Sequence, residues 1–164
     1  MALVNRDDKV AFMEVGESNS KTLKRMTNFT SFSQSKNPTE YSRRYVDKHA
    51  DDVDVTGYSP SVAYAFDQYS ENEVHKSIAE VHDNELIGTA TIRTVVVVNL
   101  SAAGTVDGTF EAIQRTFSVI PDADGDSTDA YTYSGTLRAK GDIVKGTATS
   151  TDGWKTCTFT AAAD

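Results

Sequence analysis

Apolar residues along this chain recur mostly at every second position, the pattern of strands with one buried face, and only one segment carries helical spacing. Val10 to Val15 reads as a first strand within residues 1–37, an arm otherwise rich in Ser, Asn, Lys and Thr and weakly structured near Ser33 to Asn37. From Pro38 to Asp67 the pattern predicts one long hairpin. Tyr41, Arg43 and Tyr45 alternate with Ser42 and Arg44, a turn follows at His49 to Asp52, and Val53 and Val55 alternate with Asp52 and Asp54. Gly57 and Pro60 break the second arm before Val62, Tyr64 and Phe66 resume the period of two. The first arm has too few apolar residues to belong to a core.

A single helix is expected over residues 70–83. The stretch SENE supplies a capping box, with the Ser70 hydroxyl accepting from the Glu73 amide and the Glu73 carboxylate reaching back. Val74, Ile78 and Val81 then form a narrow packing stripe, with Glu71, Lys76, Glu80 and Asp83 on the wet side. Residues 86–160 read as strand after strand: LIGTATIRTVVVVNL, TFEAIQRTFSVI, DAYTYSGTLRAKGD, VKGTATS and WKTCTFT. STDG, ending in Asp152 and Gly153, signals a tight hairpin between the last two. Seven or eight strands with one helix predict a mainly β fold, a β-sandwich or barrel with a flanking α-helix and a long β-hairpin.

Length and charge narrow the function. At 164 residues the chain is expected to form one domain, with a core of its own. A net charge of -8 argues against general nucleic-acid binding, which needs a basic footprint. No stretch approaches the roughly 20 apolar residues of a membrane span, and MALVNRDDKVAFMEVG lacks the layout of a signal peptide, so no membrane partner is expected. The single cysteine, Cys157, excludes an intramolecular disulfide and reads as a buried small hydrophobe.

No catalytic machinery is visible, and neither a cofactor nor a metal is expected. PDADGDSTDAY places Asp122, Asp124 and Asp126 as a calcium loop begins, but Ser127 and Tyr133 stand where such a loop needs Gly and Glu; a solvated acidic loop is expected instead. His75 and His82 lie seven apart on the helix and read as boundary or surface residues, lacking further ligands.

The hairpin remains to be explained. Arg43 and Arg44 face Asp51, Asp52 and Asp54 across it, but exposed ion pairs are worth about 0–1 kcal/mol each and an isolated two-stranded ribbon is marginal in water. Its open edges invite pairing. The physical resolution is that neighbouring copies complete it, closing a larger barrel around a ring. Tyr41, Arg43, Tyr45, Val53, Val55, Tyr64 and Phe66 are the expected inter-subunit residues, and Tyr45, Val53 and Val55 are expected to pack outward from the ring axis.

Three stretches carry a resemblance: Thr27 to Phe32 leading into RRYVDKHADDVDVTGYSPSVAYAFD, the helix SENEVHKSIAEVHD, and the ending GTLRAKGDIVKGTATSTDGWKTCTFT. Together they resemble the major tail tube proteins of long-tailed bacteriophages, and the ending looks like those of phages of Gram-positive hosts. The resemblance implies a structural virion protein, not an enzyme, assembled as hexameric rings stacked into a hollow tail tube that conducts viral DNA. It implies tape-measure, tail-tip or baseplate, and tail-terminator proteins as partners, location in the phage tail, and assembly in the host cytoplasm. Asp51, Asp52 and Asp54 would then repel phosphate in the lumen, letting DNA pass without specific binding. Two alternatives stay open: the tube of a contractile tail, tailocin or secretion system, and an immunoglobulin-like binding module.

Overall fold

The computed structural model describes residues 1–163. Among these the chain forms eleven strands and one α-helix: β1 (Lys9–Val15), β2 (Thr22–Arg25), β3 (Phe29–Ser35), β4 (Pro38–Arg43), β5 (Asp52–Tyr58), β6 (Ser61–Asp67), α1 (Glu73–Asp83), β7 (Ile92–Ala103), β8 (Phe110–Asp124), β9 (Thr132–Ala139), β10 (Val144–Thr149) and β11 (Thr156–Ala161). It is a mainly β fold with a flanking helix, as the period-two pattern predicts.

The sheet forks at β8. One edge of this strand pairs with β7 from Phe110 to Ser118, while its other edge pairs first with β10 (Phe110 to Gln114) and then with β9 (Phe117 to Asp124). Through β10 the sheet continues to β11, β2, β1 and β7 and returns to β8, so six antiparallel strands close into a small barrel. Through β9 it continues to β6 and β3 as a four-stranded blade with no such closure.

Two apolar clusters follow from the fork. Val10, Phe12, Val96, Val98, Ala112, Ala148 and Cys157 fill the barrel. The alternate residues of the same strands, Met13, Val15 and Val95, join Tyr64, Phe66, Phe117, Tyr133 and Leu137 beneath the helix. Both faces of β1 and β7 are thus covered, which is why β7 tolerates the run Val95 to Val98 where a half-exposed strand alternates. Burying one such side chain contributes about 1.5–3 kcal/mol.

The helix begins two residues later than the SENE reading places it. Asn72, not Ser70, is the N-cap, its side-chain oxygen accepting from the amides of Val74 and His75 at 3.0 and 3.2 Å. Residues before it are held as a turn by the Asn72 amide donating to the Tyr69 carbonyl. Val74, Ile78 and Val81 are buried against the sheet. His75 and His82 are buried as well, contrary to the boundary or surface position expected of them.

Three further expectations need correction. Residues 33–35, in the stretch read as weakly structured, are the end of strand β3, in which a bulge between Phe29 and Ser31 turns both Phe29 and Phe32 toward the core, despite a spacing of three. The segment after Leu86 enters β7 only at Ile92, after a 3-10 turn over Gly88–Thr91. STDG is not a two-residue turn. The connection occupies residues 150–155, with Gly153 and Trp154 both left-handed, and swings the Trp154 ring onto Phe12 and Phe110 at centroid distances of 6.2 and 5.5 Å. Asp152 holds this loop by accepting from the Thr156 hydroxyl and amide, the Ser150 hydroxyl and the Lys155 amide, which keep its carboxyl down at about 2.

Candidate assembly surface

The blade presents two unlike faces. Along β6, Val62, Tyr64 and Phe66 point inward and pair across to Leu137, Gly135 and Tyr133 of β9. The residues between them give the outer face a run of small side chains: Ser31 and Ser33 of β3, Ala63 and Ala65 of β6, Ser134 and Thr136 of β9. The same face also carries Ile120 of β8, opposite Thr136 and 42% exposed, and at its ends Arg138 opposite Ser61 and Asp67 opposite Thr132. Both lateral edges of the blade are open: β3 pairs only with β6, and past Ser118 β8 pairs only with β9.

Beyond the blade, the hairpin of β3 and β6 continues as β4 and β5. Asn37, left-handed at φ 46, joins the two parts: its carbonyl accepts from the Ser59 amide and its side chain donates to the Ser59 carbonyl at 3.0 Å. The ribbon of β4 and β5 pairs with no other strand. Cross-strand register sorts its side chains onto two faces. Glu40 opposite Val55, and Ser42 opposite Val53, occupy one; Tyr41 opposite Asp54, and Arg43 opposite Asp52, occupy the other. Val53 and Val55 are 55% and 53% exposed.

Register corrects the sequence-based layout of this region. Val53 and Val55 do share a face, but Tyr41 lies on the opposite one, and Tyr45 sits in the connecting turn with the Lys48 ammonium 5.8 Å from its ring centre. Arg43 donates to the Tyr41 hydroxyl at 3.1 Å, Arg44 pairs with Asp51 at 3.0 Å, and Lys48 pairs with Asp52 at 2.7 Å. Tyr64 and Phe66, expected on an inter-subunit surface, are instead 2% and 0% exposed within the chain's own core.

The remaining chemically interesting residues serve structure. His75 accepts from the Tyr69 amide at Nδ1, which puts its proton on Nε2, 2.8 Å from the Thr27 carbonyl; burial pushes its pKa down. His82 Nε2 is 2.7 Å from the Tyr64 hydroxyl and its Nδ1 is 3.8 Å from Asp124, with burial again pulling the pKa down against the nearby carboxylates. The Tyr133 hydroxyl, pushed up to about 12 by burial and then by its bond to Asp83, ties the helix C-terminus to β9. Asp122 and Asp124 lie within β8, not in a free loop, and Asp124 accepts from Tyr131 at 2.6 Å. Burial raises the Cys157 thiol to about 12, making it a poor nucleophile.

No protein-family model matches the chain, and no curated protein matches it. Among solved structures, a chain from the six-fold symmetrised baseplate of the anti-feeding prophage aligns over 88% of this chain and 95% of that one, at 11% identity and a TM-score of 0.45, too low to carry weight. A chain from the tail of an empty GTA particle, refined helically with C6 symmetry, aligns over 85% of this chain and 96% of its own length, at 11% identity and a TM-score of 0.56. At that identity the likeness is one of fold, and this chain shares its mainly β architecture with a tail component.

Proposed function

We propose that this chain is a structural tail protein that assembles into six-membered rings, stacked as a hollow tube that conducts DNA. The observation that carries this is the blade's pair of open edges. A lone domain covers, charges or shortens such edges to avoid unwanted pairing. Here β3 carries no charged residue from Phe29 to Ser35 and is unprotected, whereas the free β8 edge carries Pro121, Asp122, Asp124 and a bulge after Pro121, which confines open pairing on that side to the run beside Val119 and Ile120. Pairing the β3 edge of one copy with the β8 edge of the next repeats the four-stranded blade around an axis, and closure leaves neither blade edge unpaired. The small outer side chains then line the lumen, and Arg138 is the one cation that this face adds per copy among the described residues.

The C6 symmetry of the GTA tail supports six copies per ring. The resemblance of the three stretches together to the major tail tube proteins of long-tailed phages supports tape-measure, tail-tip or baseplate, and terminator proteins as partners. Asp52 and Asp54 share the ribbon face opposite Val53 and Val55, and Asp54, with no salt bridge among the described residues, is the better lumen charge; Asp51 and Asp52 are paired with Arg44 and Lys48. Replacing Asp52 and Asp54 with lysine is expected to slow DNA ejection from intact tubes, and unchanged ejection would remove that role.

Negative-stain electron microscopy of the concentrated chain, with light scattering on the same sample, tests the assembly. Rings or tubes of uniform bore are expected, with the tail-tip complex added as initiator if the chain alone stays dispersed. Monomers under both conditions would leave the binding-module alternative.

A further inference from the structure

A groove of about 1300 Å³ lies between the barrel and the base of the ribbon. Its apolar lining includes Val97, Ile113 and Ile143, the last two 43% and 41% exposed. In a chain of net charge -8, five of the six charged side chains along it are basic: Arg6, Lys9, Lys36, Arg115 and Lys145, against Glu111. Arg115 also has a buried Nε with no hydrogen-bond partner. The groove therefore asks for an occupant that is narrow, apolar along one face and acidic.

The β4–β5 ribbon has those properties. Its apolar face carries Val53 and Val55 with Glu40 beside them. Residues 38–58 hold five carboxylates against three cations. Asp51 and Asp52 are already ion-paired, whereas Glu40, Asp47 and Asp54 make no salt bridge among the described residues. We infer that the ribbon of one copy docks, Val53 and Val55 inward, into the groove of another copy. Ribbon and groove are different surfaces, so the contact is head-to-tail, and such a contact closes into a ring when its rotation allows. This rests on the ring proposal for the identity of the occupant; the groove adjoins the β3 edge at Phe32 and Gln34, but the contacts tested below, from Glu40 to Lys9, Lys36 and Lys145, lie outside the strand edges that ring closure pairs. Docking would cover the apolar ribbon face and bring the Glu40 carboxylate toward the Arg115 guanidinium.

A zero-length carbodiimide, which joins a carboxylate to a lysine amine, tests it on rings assembled from a mixture of isotopically light and heavy chains. Mass spectrometry is expected to find mixed-isotope links from Glu40, which shares the docked face with Val53 and Val55, to Lys9, Lys36 or Lys145. The K9E/K145E variant should need a protein concentration about tenfold higher to form rings, with E40K recovering part of the difference. Rings whose ribbons link to any other surface, or only to the groove of the same chain, would overturn the docking and leave the ring proposal standing. Absence of rings in the unmodified protein, tail-tip complex included, would overturn both.

Discussion

The long hairpin is two structures in one pair of arms. At its base, β3 and β6 bring Phe29, Phe32, Val62, Tyr64 and Phe66 under the helix, and β9 flanks β6 on the far side. At its tip, β4 and β5 pair only with each other and leave Val53 and Val55 more than half exposed. Asn37 and Ser59 divide them. Hydrogen-bond pairing is alike in both halves, so the difference lies in what covers the side chains. The base is stabilised by its own chain, whereas the tip's apolar face gains burial only from another molecule.

The sharpest separation comes from truncating one side chain in each half. Phe66→Ala at the fully buried base should cost about 3–5 kcal/mol in urea unfolding. Val53→Ser with Val55→Ser at the tip should change monomer stability by no more than about 0.5 kcal/mol per site while weakening assembly. A tip variant as unstable as the base variant would erase the distinction.

Gly135 offers a smaller test of the base. It lies across from Tyr64, and a Cβ there would stand 2.5 Å from the Ile120 carbonyl oxygen and 2.6 Å from the Tyr64 hydroxyl. Gly135→Ala should therefore destabilise by about 1–3 kcal/mol. Gly57, in the tip, meets nothing within 4 Å of such a Cβ, so Gly57→Ala should be close to neutral. A neutral Gly135→Ala would show that the blade is looser than its packing implies.

The smallest expected effect is graded with pH. Burial lowers the folded-state pKa of His75 and His82, opposed for His75 by the Thr27 carbonyl and Asp67 and for His82 by Asp124 and Asp83. Because the folded value is depressed, the unfolded chain binds more protons as pH falls below about 6.5. This part of the stability is therefore complete above that pH and is lost progressively below it. The melting temperature should decline on acidification through this range, by about 2–4 °C for each kcal/mol. His82→Gln should flatten the decline, and an unchanged slope would show that His82 does not contribute to it.

Periodicity made the core strands and the apolar stripe of the helix legible, because burial on one face of a regular element repeats in sequence. Irregular backbone hid the rest. Phe29 and Phe32 share a face only through a bulge, the connection after Thr149 is longer than its Asp-Gly suggests, and Asn72 caps the helix in place of the better-looking Ser70. The ribbon's faces were illegible for another reason: which residue of β4 stands opposite Val53 is set by cross-strand register, which one arm alone does not encode. Tyr64 and Phe66 shared the ribbon's alternation, yet the break at Ser59 and Pro60 carries them into the core.

Hydrogen exchange on free chains and on assembled rings tests ring closure most directly, read on peptides covering residues 29–35 and 119–124. Pairing of the blade edges between copies predicts that both segments gain protection together on assembly. Rings in which both segments exchange as fast as in the free chain would contradict it.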